Sequence, residues 1–207
     1  MSHHTSQAHA RSSEHVETSN TGIDNRKLGF WIFLSSECIF FATLLVGYLV
    51  YNGKAGDPGP RPAELFNIPL TSISTFVLLM SSLAMVLAVN AAQRGLAKQA
   101  RNWVIATAAM GATFLGFQFY EFSHFVSEGL TLKSSLFGTS FYTLTGFHGA
   151  HVAVGVIWLL SLLYHGGKDG LGADKAADVE IGGLYWHFVD VVWIVIFTVV
   201  YLLEFAK

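Results

Sequence analysis

The last apolar run of the chain opens with Tyr185-Trp186-His187-Phe188-Val189-Asp190-Val191-Val192-Trp193 and continues to about Phe205. At roughly 1.5 Å of rise per residue, a helix of this length crosses a hydrocarbon core of about 30 Å. His187 and Asp190 are three residues apart, so a helix places them on one face, and Trp186 and Trp193 share another. Ionisable side chains at membrane depth cost about 3 kcal/mol each and mark functional positions. The alternative interpretation is a hydrogen bond that only packs helices together.

The composition is that of a membrane protein. Of 207 residues, 52% are hydrophobic and only 13% are charged, and the mean hydropathy is +0.47. Soluble domains carry about a quarter charged residues. The net charge of −2 gives no indication of a nucleic-acid partner. The single cysteine, Cys38, excludes an internal disulfide and a Cys-x-x-Cys-His haem attachment.

Five apolar spans predict an all-α polytopic membrane protein, a bundle of five transmembrane helices within residues 28–207. The spans cover about 28–51, 70–93, 102–125, 137–164 and 184–205. Residues 1–27 are polar and lack the apolar region of a signal peptide, so we expect a disordered tail. The segment 165–183 is rich in Gly and Asp and predicts a surface loop.

The placement of Lys and Arg predicts the orientation in the membrane. The side that holds the tail and the second and fourth loops has eight such residues: Arg11, Arg26, Lys27, Arg94, Lys98, Arg101, Lys168 and Lys175. The other side has four: Lys54, Arg61, Lys133 and Lys207. Because cytoplasmic loops carry the excess of positive charge, the N-terminus is expected in the cytoplasm and the C-terminus outside.

Acids and histidines recur within the spans, whereas Lys and Arg are missing from them. The candidate proton-related or structural residues are Glu37, Glu121, His124, His148, His151, His187 and Asp190. Helical spacing predicts three pairs, which are Glu121/His124, His148/His151 and His187/Asp190. A buried carboxyl without a cationic partner stays protonated or takes a hydrogen-bond donor. Depth along the helices predicts one polar cluster of Glu37, His148, His151, His187 and Asp190.

A metal site is the less favoured interpretation of these residues. Glu121 and His124 form a Glu-x-x-His unit, of which di-iron carboxylate bundles use two. The chain has no second unit, and Glu121 and His187 are expected roughly 20 Å apart along the membrane normal. No metal ligand set is therefore predicted.

Small and hydroxyl residues predict where helices approach each other closely. Small residues recur every fourth position at Ala108, Ala112 and Gly116, and in the pairs Gly146/Ala150 and Gly149/Ala153. The second span offers hydroxyl groups at Ser72, Ser74, Ser81 and Ser82.

Four motifs in this order resemble subunit III of the haem-copper respiratory oxidases. They are Trp31…Ser36-Glu37…Phe40-Phe41, Tyr120-Glu121-Phe122, Thr145-Gly146-Phe147-His148-Gly149-Ala150-His151-Val152, and the stretch from Tyr185 to Trp193. The resemblance covers all five spans, and the chain is similar to the five-helix bacterial form of the family. Longer family members have two additional N-terminal helices that form one wall of a lipid-filled cleft.

The resemblance implies an accessory, non-redox subunit of a proton-pumping terminal oxidase that reduces oxygen to water. In that family subunit III lies against the catalytic subunit I, in a complex with subunit II, and haem and copper are held by partner subunits. No cofactor is therefore expected in this chain, although a phospholipid is possible. The location implied is the bacterial cell (inner) membrane. Glu37 matches the family's buried carboxylic acid that reacts with carbodiimides.

Two alternatives remain at this point. Phe147 before His148 resembles the cytochrome c oxidases and favours them over the quinol oxidases, which share the five-helix form. A small membrane transporter with a proton relay is the more distant alternative. Transporters are typically built from repeats with discontinuous helices, and the five spans show no repeat and no mid-span proline.

Overall fold

The computed structural model describes residues 25–52, 67–133, 135–166 and 171–203. Five helices long and apolar enough to cross a membrane account for most of these residues, which confirms the all-α, five-span prediction. They are α1 (Asn25–Tyr51), α2 (Ile68–Gln93), α3 (Ala97–Ser127), α4 (Leu136–Gly166) and α5 (Ala176–Ile196). The tail predicted to be disordered comprises residues 1–27. Of these, residues 1–24 lie outside the part of the chain that the structure describes.

Local sequence determines where α2 begins and where it ends. Asn67 caps α2 by accepting a hydrogen bond from the Leu70 backbone amide, and Pro69 lies in the first turn, where its missing N–H is harmless. Gly95 ends α2 with a φ of 73°, a conformation that suits glycine. The short turn therefore makes α2 and α3 an antiparallel pair.

The start of α5 corrects the predicted loop at 165–183. A short 3₁₀ turn (Ala173–Lys175) leads directly into α5 at Ala176. Val179 and Ile181 are buried in this first part of the helix, and the loop prediction missed this because two acids lower the local hydropathy. At its other end, α5 continues as a π-helical turn (Phe197–Leu202).

Four helices surround a common core and α1 lies outside them. In sequence order α2, α3 and α4 pack each against the next, and α5 closes the ring by packing against both α2 and α4. Helices α3 and α5 are therefore diagonal neighbours. Helix α1 packs mainly against α4 and less extensively against α5.

Trp186 fills the centre of the four-helix ring. A Cβ atom on Gly111 of α3 would lie 2.4 Å from the Trp186 ring, and one on Gly155 of α4 would lie 2.9 Å from it. By contrast, Gly116 and Gly146 have no neighbouring atom within 4 Å of such a Cβ. The close approaches predicted at these two glycines are therefore wrong. The predicted Gly149 does lie close to α3, because a Cβ atom there would be 2.7 Å from Gln118 Oε1.

One end of the bundle gathers the positive charge. Arg26 Nη2 lies 2.7 Å from Asp178 Oδ1, and Lys27 Nζ lies 2.8 Å from Glu180 Oε1. The Leu171 backbone amide donates to the Ala97 carbonyl at 3.4 Å, so the connection before α5 lies beside the start of α3. We call this end of the molecule the basic end; its described cations are Arg26, Lys27, Arg94, Lys98, Arg101 and Lys175.

Candidate functional site

Side-chain hydrogen bonds join α5 to α2 over about two turns of their interface. Trp186 Nε1 donates to Ser81 Oγ at 2.9 Å, and Trp193 Nε1 donates to Thr75 Oγ1 at 2.9 Å. The two tryptophans thus share one face, as the seven-residue spacing predicts. Buried indole N–H groups need such partners, so the hydroxyl groups of α2 fix the rotation of α5.

His187 takes part in the same interface, one residue further round the helix. Its Nδ1 lies 2.6 Å from Ser82 Oγ. Asp190 lies one turn deeper and is only 3% exposed. The Ser82 hydroxyl also faces the Asp190 carboxyl but lacks the geometry of a hydrogen bond, and neither carboxyl oxygen has a partner among the described residues. The predicted pair of His187 and Asp190 is therefore not bonded directly, and Ser82 lies between the two side chains.

A second polar contact joins α1 to α4. Glu37 Oε2 lies 3.2 Å from His151 Nε2, and both side chains are about one-fifth exposed. His151 Nδ1 lies 2.7 Å from the Phe147 carbonyl, and because a carbonyl only accepts, the ring proton must be on Nδ1. A hydrogen bond between the carboxyl and Nε2 then requires one proton between these two atoms, and a pair bonded in this way has no net charge. A neutral pair is the form that the hydrocarbon core tolerates best.

His148 is enclosed by aromatic rings. It is fully buried and stacks on Trp193 with ring centroids 4.8 Å apart and an interplanar angle of 24°. Phe114 and Phe41 present their edges to it at 5.9 Å and 6.5 Å. Neither ring nitrogen has a hydrogen-bond partner among the described residues. His151 turns to α1 instead, so the predicted pair of His148 and His151 forms no hydrogen bond.

Glu121 is held at the end of the bundle that lies opposite the basic end. It accepts hydrogen bonds from Thr71 Oγ1 at 2.8 Å and from the Tyr201 hydroxyl at 3.3 Å. His124 is exposed, so the predicted pair of Glu121 and His124 is wrong. The sequence analysis missed Tyr201 and Thr71, because the partners of a buried acid come from other helices and helical spacing cannot reveal them.

The single polar cluster predicted from depth divides in the structure. Glu37 and His151 meet at the interface of α1 with α4, whereas His187 and Asp190 lie at the interface of α5 with α2. Within the described ranges, no hydrogen bond links the two groups, and no three His, Cys, Asp or Glu side chains converge as metal ligands would. Sequence position along the helices could not reveal the direction in which each side chain points, because that direction depends on the helix packing.

Grooves open between neighbouring helices in the described part of the chain. An apolar groove of about 230 Å³ lies between α1 and α5 and includes Cys38, Phe41 and Phe188. A groove of about 250 Å³ lies between α2 and α5. The second groove has a polar lining at Asn90, Gln93, Glu180 and His187.

These features define a polytopic membrane protein whose buried acids and histidines mostly contact its own helices. The sequence model of the family Cytochrome c oxidase subunit III matches residues 5–205, which is nearly the whole chain. The chain belongs to this family, as the motifs indicated.

Relatives of two kinds match at similar identity. The chain is 44% identical to the cytochrome c oxidase subunit 3 of Bacillus sp. (strain PS3) over 179 residues, 86% of each chain. It is 43% identical to the quinol oxidase subunit 3 of Bacillus subtilis (strain 168) over 176 residues, 85% of this chain and 86% of the relative. The chain is thus a subunit III of a haem-copper oxidase, a membrane-bound oxidoreductase complex, and the transporter alternative is set aside.

Proposed function

We propose that this chain is an accessory subunit without a redox centre, which covers and stabilises the catalytic subunit I of a proton-pumping oxidase. The observation that supports the proposal is that most of the buried acids and histidines bind side chains of this same chain. Glu37 and His151 bind each other, Glu121 is bound by Thr71 and Tyr201, and His187 is bound by Ser82. These contacts hold helices of this chain together, so we place haem and copper in the partner subunits, with subunit II in the same complex.

We also propose how the subunit lies in the membrane. The basic end faces the cytoplasm of a bacterial cell, since Lys and Arg are retained on that side, and the N-terminus belongs to the same end. The fifth helix then ends outside. We further propose that part of a phospholipid acyl chain lies in the groove beside Phe41 and Phe188, whose lining is almost entirely apolar.

For the electron donor we propose cytochrome c. Phe147 precedes His148 as in the cytochrome c oxidases, and cytochrome c oxidase subunits are among the relatives at 44% identity. A quinol is the second candidate, since a quinol oxidase subunit matches at 43%. Oxygen uptake by the purified complex with reduced cytochrome c, and separately with a quinol, decides between them: activity with quinol alone refutes the proposal.

The accessory role is tested by removing the subunit from the purified oxidase in mild detergent. Haem absorbance and initial oxygen uptake should remain, because the chain supplies no redox centre. Uptake should then decay over successive turnovers faster than in the complete complex, and most clearly at alkaline pH, where proton supply limits the pump. Immediate loss of activity would place part of the active site in this chain, and equal decay would refute the supporting role.

A further inference from the structure

Asp190 and His148 are buried ionisable side chains that find no hydrogen-bond partner among the described residues, and Asp190 is the one that lies one turn from a groove-lining residue, His187. Asp190 is 3% exposed and both of its carboxyl oxygens lack a hydrogen-bond partner among the described residues. Burying a carboxyl without hydrogen-bond partners carries the full free-energy penalty of removing it from water, which hydrogen bonds would otherwise offset. Such groups in membrane proteins are ordinarily satisfied by protein or by water.

A groove lined by both polar and apolar side chains leads from the basic end towards this carboxyl. Along α5, Glu180 and His187 line the groove seven residues apart, and along α2, Asn90 and Gln93 line it one turn apart. His187 is bound to Ser82, and Ser82 faces Asp190. At roughly 1.5 Å per residue, Asp190 lies about 15 Å deeper than Glu180. The groove therefore carries polar groups from the membrane surface to the turn above Asp190.

The groove has room and partners for water. Its volume of about 250 Å³ exceeds that of several water molecules. The groove lining ends at His187, and the Ser82 hydroxyl and the Asp190 carboxyl lie beyond it. Water that enters one turn deeper would have these two groups and the remaining nitrogen of His187 as partners, which matches the usual two to four. His148 offers the contrast, because the rings of Phe41, Phe114 and Trp193 surround it.

The groove is closed beyond Asp190. The next turn of the interface holds the Trp193 indole, bonded to Thr75 and 2% exposed, and Leu78, 1% exposed. The titratable groups that face the path are Glu180, His187 and Asp190 of α5, with Lys27 of α1 bound to Glu180. Among the described residues, α2 contributes uncharged side chains to the path: the Ser82 hydroxyl, the amides of Asn90 and Gln93, and the apolar Val86 and Val89.

We propose that the α2–α5 groove is a water-filled inlet that connects the basic end with Asp190, so that this carboxyl exchanges its proton with the aqueous phase on that side only. The inlet ends within the subunit and requires no assumption about the electron donor. It assigns to His187 and Ser82 the role of positioning the innermost water against Asp190.

Thiol accessibility in the intact oxidase tests the inlet, because thiols react as thiolates and need water to ionise. In a Cys38→Ser background, Val86→Cys places a thiol in the groove, and Leu87→Cys places one at nearly the same depth on α2, outside the groove lining. Ser82→Cys and Leu83→Cys form the corresponding pair at the level of His187. The probe is a membrane-impermeant cationic methanethiosulfonate, added to sealed vesicles from either side.

From the basic-end side, Val86→Cys and Ser82→Cys should each react at least tenfold faster than their neighbours on α2, and from the other side all four should be slow. Asn90→Leu with Gln93→Leu removes the polar groups that α2 contributes to the groove lining, at similar volume, and should slow the reaction of Val86→Cys to the rate of Leu87→Cys. The proposal is overturned if the groove and control thiols react alike. It is equally overturned if Ser82→Cys is as slow as Leu83→Cys, if both sides give the same rates, or if the leucine variant leaves the rate unchanged.

Discussion

At the scale of single residues, the structure depends on how closely Trp186 fits its neighbours. Its ring lies against the backbone of α3 at Gly111 and of α4 at Gly155, while its indole N–H is bonded to α2. One side chain of α5 thus contacts all three other helices of the ring. Without a hydrophobic force between helices in lipid, association depends on such close packing and on hydrogen bonds between helices.

Replacing Gly111 with alanine should therefore destabilise the subunit, whereas the same change at Gly116 should not. Alanine is the better helix former by about 1 kcal/mol at either position. At Gly111 the new Cβ would lie 2.4 Å from a ring that cannot move aside, and overpacking of this kind costs about 1–3 kcal/mol. Thermal unfolding in detergent should show a lower midpoint for Gly111→Ala and an equal or higher one for Gly116→Ala. Equal unfolding midpoints for the two variants would mean that the Trp186 ring can move to accommodate the new Cβ atom at Gly111.

The contact between Glu37 and His151 allows a prediction about charge. Because the pair shares one proton, Glu37→Gln can replace it with a neutral bond in which the amide donates to Nε2. Glu37→Leu leaves that nitrogen without a partner, which costs about 1–3 kcal/mol for a buried polar group. Retention of the subunit in the oxidase on heating should fall clearly for Glu37→Leu and little for Glu37→Gln. Equal loss in both variants would show that the interaction requires a charged carboxylate.

At the scale of elements, α5 is longer than its hydropathy indicates. Its first two turns bury Val179 and Ile181 and form ion pairs through Asp178 and Glu180. The pair of Arg26 and Asp178 is largely exposed and contributes little. Burial of the apolar residues is thus the main reason why the helix begins at Ala176.

Hydrogen exchange should reveal this extension. Backbone amides from Glu180 to Gly183 are bonded within a helix that packs on α2 through Gly183, so they should exchange as slowly as amides in the middle of α3. A surface loop would exchange within seconds. Mass spectrometry of peptides covering 176–184 measures the difference, and rapid exchange there would restore the loop prediction.

The elements also show what the sequence can and cannot predict. Apolar runs of about 25 residues and the periodicity of the motifs were sufficient for five helices, for the shared face of Trp186 and Trp193, and for Ser81 and Ser82 as hydroxyl partners. The partners of Glu121 and the separation of Glu37 from His187 depend on which helices are neighbours and how each is rotated. That information arises from tertiary packing, as at Gly111, where the spacing of small residues alone favoured Gly116.

At the scale of the whole molecule, the bundle consists of a four-helix ring and one peripheral helix. In α1 only Leu34, Phe41 and Tyr48 are buried, at seven-residue intervals along one face. The partly buried side chains of Phe30, Phe40, Leu44 and Leu45 pack beside them. Polar contacts of α1 with the other helices include Glu37 with His151 and two ion pairs at the basic end. Local opening is easiest where buried contacts are fewest, so α1 should be the least stable helix.

This difference predicts the order in which the subunit comes apart. In the subunit separated from the oxidase in mild detergent, amides of α1 should become exchangeable at a lower denaturant concentration than those of α2 to α5. Phe41→Ala should widen the interval, since removal of a buried Phe costs about 3–5 kcal/mol in well-packed cores and Phe41 is 6% exposed. Ile39→Ala is the matched control, because Ile39 is 70% exposed and faces away from the bundle. Simultaneous opening of all five helices, or equal effects of the two alanine variants, would show that α1 belongs to the same cooperative unit as the ring.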